Sequence, residues 1–150
     1  MPKKISDLEF PESRYWYNDW IEKQSKTLKV LDVGKSIHWD YSKDFKDYTT
    51  IDNAISVNPD IIGNIEDFIF DDKYDLVLFN GMYECCDAKK ALKNISKITK
   101  RCICGFVTNE YKAYKPIWQA FDGDMSMFKD WEIEEISDWK DYIYVVLTKK

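Results

Sequence analysis

Three short β-like runs constrain the fold of this chain more than any other feature of its sequence. They occupy residues 28–33, 48–52 and 76–79. Each run is followed at once by glycine or asparagine, residues that permit a sharp change of chain direction. Short runs rich in apolar and β-branched residues that stop at such a position are typical of buried parallel strands. The sequence therefore predicts a mainly parallel central sheet.

Helix-forming segments alternate with these runs. Residues 15–26 lack Gly and Pro, carry apolar residues at helical spacing and follow Ser13, which we expect to cap the helix. Residues 88–100 place apolar side chains on one face and lysines on the other, which predicts a crossover helix. Residues 101–108 are predicted to form the next strand, which Gly105 weakens locally.

The C-terminal part of the chain predicts a different strand arrangement. Residues 131–137 and 142–148 are β-like runs joined by a short polar segment, which indicates an antiparallel hairpin. Residues 60–65 supply one more short apolar stretch. A chain of 150 residues suffices for one compact domain. We predict an α/β fold with a doubly wound, mainly parallel sheet and a C-terminal antiparallel hairpin.

The charge and hydropathy of the chain disfavour nucleic acid and membranes as partners. The formal net charge is −5 at pH 7 and the basic residues are dispersed, whereas a protein that binds a phosphate backbone usually carries a basic face. No segment approaches the roughly 20 apolar residues of a spanning helix, and no long apolar run follows the N-terminal lysines. We expect a cytoplasmic protein.

The cysteines do not predict a metal site. They occur as Cys85-Cys86 and as Cys102-Ile-Cys104, without the C-x-x-C spacing of zinc sites, and the only histidine, His38, is distant in sequence. We expect buried, reduced thiols and no bound metal.

Polar residues and glycines follow the ends of the predicted strands. In a doubly wound sheet the loops at the carboxyl ends of the strands converge and bind the ligand. Three such ends stand out: Asp32-Val33-Gly34-Lys35-Ser36, Asp52-Asn53 and Asn80-Gly81. The sequence therefore predicts a ligand site where these three ends meet.

The first of these ends resembles the glycine-containing loop of class I S-adenosylmethionine-dependent methyltransferases. Asp32 and Gly34 match the acidic residue and the glycine that in this Rossmann-like family let the backbone approach the methionine part of the cofactor. A glycine suits that role because it lacks a Cβ. Residues 35–37, Lys-Ser-Ile, depart from the family pattern, in which further glycines follow.

The next two segments resemble the family's nucleoside-binding strands. By that resemblance Asp52 accepts hydrogen bonds from both ribose hydroxyls, which suits a carboxylate because it only accepts. An acidic residue at this position is also found in nicotinamide-binding proteins. Residues 58–67 resemble the loop that flanks the adenine, where Asn64 or Glu66 would meet the exocyclic amine and Ile65 would pack on the ring.

Residues 74–85 resemble the fourth-strand motif of small-molecule methyltransferases in this family. Glu84 aligns with a glutamate of that motif, while Cys85 replaces the histidine that often follows it. His38 is a candidate general base because its ordinary pKa lies near neutrality, although a lone loop histidine is more often a surface residue. Glu84 and His38 are therefore the catalytic candidates, and Glu84 could equally well only support its loop.

The resemblance covers residues 28–108 and, less specifically, the C-terminal hairpin. It implies S-adenosylmethionine as cofactor and a small-molecule or glycan-like acceptor. The implied cofactor-binding residues are Asp32, Gly34, Lys35, Ser36, Asp52, Asn53, Asn64, Ile65, Asn80 and Gly81.

Two alternatives remain beside a methyltransferase. The altered glycine loop and Cys85 also fit a degenerate, non-catalytic cofactor-binding or interaction module. A nicotinamide-dependent enzyme needs a fuller G-x-G-x-x-G turn than residues 35–37 provide.

The resemblance also suggests how the single domain, residues 1–150, is organised. We expect a helical segment at residues 1–26, a cofactor-binding core at 27–108 and a hairpin at 131–150. Residues 109–130 either form an acceptor pocket or pack as an amphipathic helix on the sheet.

The aromatic residues of the N-terminal helix allow two interpretations. Tyr15, Trp16, Tyr17 and Trp20 could cover the cofactor as a lid or pack into the core, and helical spacing favours the core.

Overall fold

The structure is a computed structural model, and it describes residues 1–82, 85, 87–107, 125–137, 139 and 142–150. The strands are β1 Lys3–Lys4, β2 Lys29–Val33, β3 Trp39–Asp40, β4 Asp47–Asp52, β5 Ile61–Ile62, β6 Leu76–Phe79, β7 Arg101–Val107, β8 Trp131–Ile136 and β9 Tyr142–Lys149. The α-helices among these residues are α1 Glu12–Glu22 and α2 Ala88–Ile95, and short 3-10 turns occupy Ile55–Val57 and Met125–Phe128.

Seven of these strands form the main sheet in the order β5-β4-β2-β6-β7-β9-β8. The pairs from β5 to β7 are parallel, whereas β9 pairs antiparallel with both β7 and β8. The predicted parallel sheet with a terminal antiparallel hairpin is confirmed.

Strand β2 lies at the centre of the parallel part, with β4 and β6 on its two sides. Asp32 is level with Thr50 of β4 and with Leu78 of β6. Side chains alternate between the two faces of a strand, and both faces of β2 are buried from Val30 to Val33. This double burial explains why the strand sequence is apolar apart from Asp32.

The order of the strands creates a crevice beside β2. The chain runs from β2 outward to β4 and β5, and then returns to place β6 on the opposite side of β2. The loops that leave β2 and β6 therefore diverge at the carboxyl edge of the sheet. Such a switch point is where doubly wound sheets bind their ligands.

Helix α1 differs from its prediction at both ends. It begins at Glu12 after Pro11, so the expectation that Ser13 caps the helix is wrong. Proline has the extended backbone and fixed φ that suit this position, and Ser13 is instead buried in the first turn. The helix ends at Glu22 rather than residue 26, because a tight turn bends the chain toward β2.

The aromatic face of α1 packs mainly into the core. Tyr17 is fully buried and its ring stacks on Tyr144 of β9 at 4.8 Å, while Trp20 is also buried. The Trp16 ring also stacks on Tyr144, at 5.7 Å, and Tyr15 stays exposed. The core interpretation of this face is therefore confirmed for Tyr17 and Trp20.

Helix α2 is shorter than predicted but is capped and anchored. Asp87 accepts a hydrogen bond from the Lys90 amide at 3.0 Å, which satisfies one free N–H of the first turn. The helix ends at Ile95 rather than residue 100, because tight turns follow and the Ile98 carbonyl accepts from the Tyr74 amide before β6.

The connections around β4 are compact. Residues 34–46, which the structure describes throughout, contain no helix, and their strand β3 pairs with β1 near the N-terminus. Residues 53–75 are also described throughout and contain only a 3-10 turn and the two-residue β5. In the described part of the chain, no helix has the length and apolar character that crossing a membrane requires.

Strand β8 forms one edge of the sheet and carries exposed Glu132, Glu134 and Glu135. Its register against β9 shifts between Ile133 and Glu135. At the opposite edge, β5 pairs with β4 through only two residues.

Gly105 permits a close approach between β7, β9 and the turn after β6. A Cβ at this position would lie 2.7 Å from the backbone oxygen of Asn80 and 2.8 Å from the Tyr144 ring. Real Cβ atoms do not approach other atoms so closely, and the strand remains continuous through Gly105. The glycine is therefore required by packing rather than by backbone freedom.

We expect Gly105→Ala to lower the free energy of unfolding by about 1–3 kcal/mol, because the added methyl group overpacks a rigid part of the core. Gly34→Ala is the matched control: it adds the same methyl group where nothing lies within 4 Å. It should cost about 1 kcal/mol, from its left-handed backbone alone. Urea unfolding followed by circular dichroism measures both, and a smaller loss for Gly105→Ala would contradict the packing argument.

Candidate functional site

A cavity of about 440 Å³ lies at the carboxyl edge of the parallel strands, and we refer to it as the strand-end cavity. Most of the residues predicted from the three strand ends line it: Asp32, Gly34, Lys35, Ser36, Asp52, Asn80 and Gly81. The catalytic candidate His38 lines it as well. Side chains that are distant in sequence therefore meet at the switch point beside β2.

A smaller cavity of about 70 Å³ adjoins the strand-end cavity, and Gly34, Asp52 and Gly81 line both. Asn53 and Ile65, two more of the predicted residues, line the smaller one. A small recess with both apolar and polar lining residues therefore lies beside Asp52, at the end of β4.

Asn64 lines neither cavity. Its side-chain oxygen accepts a hydrogen bond from the Glu66 amide at 2.9 Å, and its carbonyl accepts from the amides of Asp67 and Phe68. These bonds close a turn. In this structure Asn64 therefore supports the loop after β5 rather than facing a cavity.

Gly34 turns the chain sharply after β2. Its φ is +85°, in the left-handed region that favours glycine, and its amide donates to the Ile51 carbonyl of β4 at 2.8 Å. No atom lies within 4 Å of the place where a Cβ would stand. The backbone of this loop is therefore open to a ligand in the cavity.

Two backbone amides hold the Asp52 carboxylate. Oδ2 accepts from the Lys35 amide at 2.9 Å and Oδ1 accepts from the Ala54 amide at 2.8 Å. Each carboxylate oxygen can accept a second hydrogen bond. Asp52 is thus fixed in orientation and keeps one acceptor position on each oxygen.

Asp32 is a buried carboxyl at the wall of the strand-end cavity, 3% exposed. The Tyr48 hydroxyl donates a hydrogen bond to its Oδ2. Burial raises the pKa of Asp32 to about 7, and the Asp52 charge adds to the rise, whereas the Tyr48 bond and the Arg14 charge lower it. The carboxyl therefore changes its charge near neutral pH.

Arg14 of α1 also lines the strand-end cavity. Four aromatic rings surround its guanidinium, with ring centroids 5.5–6.0 Å from Cζ. We call these rings the aromatic cage: Phe10, Tyr17, Trp39 and Tyr41. Its Nε donates to the Tyr41 hydroxyl at 3.0 Å, and Tyr41 in turn donates to Asn18. The cage thus holds the cation by cation–π attraction.

The loop between Gly34 and the aromatic cage is tied down by its own side chains. The Ser36 hydroxyl accepts from the amides of His38 and Trp39, and the Lys35 ammonium donates to the Asn58 carbonyl at 2.8 Å. His38 Nδ1 is bonded to the Ser6 hydroxyl at 2.9 Å. His38 therefore lines the cavity in a fixed orientation.

The turn after β6 is anchored by the hairpin strand β9. The Tyr142 hydroxyl donates to the backbone oxygen of Asn80 at 2.6 Å and lies 3.0 Å from its side-chain oxygen.

The other catalytic candidate, Glu84, and the segment 109–124 lie outside the described residues. No group of three or more His, Cys, Asp or Glu side chains suited to a metal ion occurs in the part that the structure describes.

Our sequence interpretation did not include Arg14 and Tyr48 among the site residues. One signal for Arg14 was present, because the chain contains only two arginines among its 22 basic residues. Arginine stacks on aromatic rings more readily than lysine, and Arg14 precedes the run Tyr15-Trp16-Tyr17. Tyr48 gave no signal, because its contact with Asp32 depends on the register between β4 and β2.

Comparison with solved structures shows the fold to which this geometry belongs. The N-methyltransferase NodS from Bradyrhizobium japonicum WM9, in complex with S-adenosyl-L-homocysteine, is 13% identical, covers 95% of this chain and 89% of its own, and has a TM-score of 0.73. An S-adenosylmethionine-dependent methyltransferase from Clostridium acetobutylicum ATCC 824 is 11% identical over 95% of this chain and 93% of its own, with a TM-score of 0.69. The glycopeptide N-methyltransferase MtfA, complexed with S-adenosyl-L-methionine, is 9% identical over 93% of each chain, with a TM-score of 0.63.

The chain therefore has the Rossmann-like fold of class I S-adenosylmethionine-dependent methyltransferases, as the sequence resemblance implied. Comparisons with protein-family models and with curated protein sequences give no match.

The buried Asp32 predicts how stability depends on pH. Because its pKa is raised from 3.8 to about 7 on folding, the folded protein binds the extra proton between about pH 4 and 7. Its contribution to stability is present at low pH and is lost as pH rises through 7. From pH 5 to pH 8 we expect the loss at this residue to be about 2.5 kcal/mol.

Asp32→Asn isolates this effect, because asparagine can still accept the Tyr48 hydrogen bond but does not titrate. We expect the variant to gain stability relative to the natural protein as pH rises from 5 to 8. Urea unfolding of both proteins at each pH measures the difference. If the difference in the free energy of unfolding between the two proteins does not change with pH, burial does not raise the pKa of Asp32.

Proposed function

We propose that this protein is a methyltransferase that uses S-adenosylmethionine to methylate a small-molecule or glycan-like acceptor. The observation that carries the proposal is the meeting of three strand ends at one cavity: Asp32 with Gly34, Asp52, and Asn80 with Gly81. The fold supports it, because doubly wound sheets bind their ligands at this switch point.

The groups at the cavity fit the parts of the cofactor. Asp52 would accept hydrogen bonds from the ribose hydroxyls with the acceptor positions that the backbone leaves free. Ile65 and Asn53, in the smaller recess beside Asp52, would flank the adenine. The open backbone at Gly34 would lie along the methionine part. These polar and apolar groups support the proposal of a nucleoside ligand with a polar chain.

The chemistry of the reaction needs positioning more than acid or base strength. When bound, S-adenosylmethionine would supply an activated methyl group on a sulfonium sulfur: a lone pair of the acceptor bonds to the methyl carbon as the carbon–sulfur bond breaks, which leaves a neutral thioether. Asp52, and Asp32 in its ionised form, favour a positively charged ligand in the cavity. Alignment of donor and acceptor can supply much of the rate enhancement without a strong base.

His38 is the candidate to take a proton from the acceptor. It lines the strand-end cavity, and its Nδ1 is engaged by Ser6, so that Nε2 is the ring nitrogen left for a substrate. An imidazole nitrogen with a free lone pair is suited to that role. Glu84 stays a second candidate from the sequence resemblance.

Two structural neighbours support the class of acceptor that we propose. MtfA is a glycopeptide N-methyltransferase, and the N-terminal domain of EvdMO1 was crystallised with S-adenosylhomocysteine and D-fucose. The acidic net charge of this chain argues in the same direction, away from a nucleic-acid acceptor. We place the activity in the cytoplasm, as the sequence predicts.

A second candidate function is a binding module on the same fold that has lost catalysis. Lys35 and Ser36 occupy places where the family usually has glycine, and the Lys35 ammonium is already bound to Asn58. Such a module would bind the cofactor without turning it over. Assays of methyl transfer with a panel of sugars and amines distinguish the two functions.

Titration calorimetry with S-adenosylmethionine, S-adenosylhomocysteine and NAD tests the proposed site. We expect micromolar binding of the two adenosyl ligands and none of NAD. Asp52→Ala should weaken adenosyl binding by roughly 10- to 100-fold, because it removes hydrogen bonds to a charged group. Asp71→Ala removes an exposed carboxylate elsewhere and serves as the matched control.

Circular dichroism of Asp52→Ala shows whether the variant is folded. Unchanged affinity in the folded variant would contradict the ribose assignment. If the natural protein binds neither adenosyl ligand, the methyltransferase and the cofactor-binding module are both excluded.

A further inference from the structure

A second cavity, of about 460 Å³, lies at the edge of the sheet opposite to the strand-end cavity. Residues directly before two parallel strands line it, because Asp75 precedes β6 and Lys100 precedes β7. The starts of these strands meet at one edge, and we call this space the amino-edge cavity. Among the described residues it shares no lining residue with the strand-end cavity. It is therefore separate from the site proposed for the adenosyl ligand.

Four lysines line the amino-edge cavity, and the fold brings them together from distant parts of the sequence. They are Lys73, Lys97, Lys100 and Lys149, and all four are exposed. The whole chain has 27 acidic and 22 basic residues, yet Asp75 is the one acidic residue among the described residues that line this cavity. Positive charge is therefore concentrated here in a protein of net negative charge.

Main-chain hydrogen bonds join the three segments that carry these lysines. The Tyr74 amide donates to the Ile98 carbonyl at 2.7 Å, which joins the segment before β6 to the turns after α2. The Lys149 amide donates to the Lys100 carbonyl at 2.8 Å, which joins the end of β9 to the same turns. The backbone positions of the lysines are thus fixed before any ligand binds, and preorganisation of this kind lowers the entropy cost of binding.

The carboxylates beside the cavity are already engaged by Lys29. Asp75 Oδ2 accepts from the Lys29 amide at 2.8 Å, and Asp72 forms an ion pair with the Lys29 ammonium at 3.2 Å. None of the four cavity lysines forms an ion pair with a described residue. Like charges that are held together repel one another. An anion bound among these lysines would therefore relieve an unfavourable interaction.

Lys149 offsets a feature of the cavity that would repel an anion. The carbonyl groups at a helix C-terminus carry partial negative charge, and α2 is followed by Ser96, which lines the cavity. The Lys149 ammonium donates to the Ser96 carbonyl at 2.8 Å. The other three lysines donate no side-chain hydrogen bond to a described residue, so their ammonium groups keep their donors for a ligand.

We infer that the amino-edge cavity binds a small oligophosphate anion, whose negative charges are shared among the lysines of its walls. Lysine binds phosphate as a point charge without a fixed geometry, so several lysines around one space suit an anion with several phosphates. The volume of the cavity lies within the range of small-ligand sites, about 300–1,000 Å³. A nucleic-acid backbone would instead need an extended basic stripe. The inference does not depend on the proposed methyltransferase activity.

Titration calorimetry with orthophosphate, pyrophosphate and tripolyphosphate tests the inference, in a buffer of low ionic strength without divalent cations. We expect the affinity to rise with the number of phosphates, so that tripolyphosphate binds at least roughly 10-fold more tightly than orthophosphate. The affinity for tripolyphosphate should fall when sodium chloride is added, because salt screens exposed charges.

Variants of the cavity lysines show where the anion binds. Lys97→Gln combined with Lys100→Gln should weaken tripolyphosphate binding roughly 10-fold, because it removes two exposed charge pairs. Lys73→Gln, on the segment before β6, should weaken binding roughly threefold. The matched control combines Lys3→Gln with Lys43→Gln, which removes the same charge from two exposed lysines that do not line the cavity. It should change the affinity less than about twofold.

The outcomes separate the inference from its alternatives and from the proposed function. If the control variant weakens binding as much as the Lys97 and Lys100 variant, the anion responds to net charge alone and the inference is wrong. Tripolyphosphate binding no tighter than that of orthophosphate contradicts it as well. If a short oligouridylate binds and tripolyphosphate does not, the surface is a nucleic-acid interface instead.

The affinity of the Lys97 and Lys100 variant for S-adenosylhomocysteine separates the two sites. We expect it to stay within about twofold of that of the natural protein, because neither lysine lines the strand-end cavity. Circular dichroism checks that each variant is folded. A failure to bind oligophosphate would therefore overturn this inference and leave the proposed function standing.

Discussion

Parallel pairing of β2 with β4 and β6 determines where every group at the site lies. Because the three strands run in the same direction and in register, Asp32, Asp52 and Asn80 reach the same edge of the sheet. The polar contact of Asp32 specifies that register, since a shift by one residue would turn Asp32 to the opposite face of the sheet, away from the Tyr48 hydroxyl. The strand-end cavity is thus a consequence of strand pairing, and its polar residues occupy the positions where the strands leave the core.

The sequence predicted the parts of the fold that depend on local pattern. The bounds of β6 were correct and those of β2 and β4 were within one residue, because each is a short buried run that ends at a turn residue. Their strand ends also identified most residues of the strand-end cavity. Helix ends were harder, as for α1 and α2, where the chain leaves the helix to meet a distant strand rather than at a local signal.

Contacts between distant segments account for the rest. Arg14 reaches the site because α1 packs on β9 through Tyr17 and Tyr144, and no spacing within the sequence expresses that contact. Asn64 was expected beside the adenine, but its side chain is used by its own turn. Whether a polar side chain faces a ligand or its own backbone is decided by a few dihedral angles, which residue type alone does not determine.

The two edges of the sheet have a consequence for how copies of this chain behave in a crowded solution. An open sheet exposes unpaired N–H and C=O groups along its outer strands, where further strands can add. Here β5 is only two residues long, and β8 carries three exposed glutamates and an irregular register. If the β8 strand of a second molecule paired with this one, the exposed glutamates of both strands would lie close together along an irregular edge. The sheet therefore resists growth by addition of strands from neighbouring molecules.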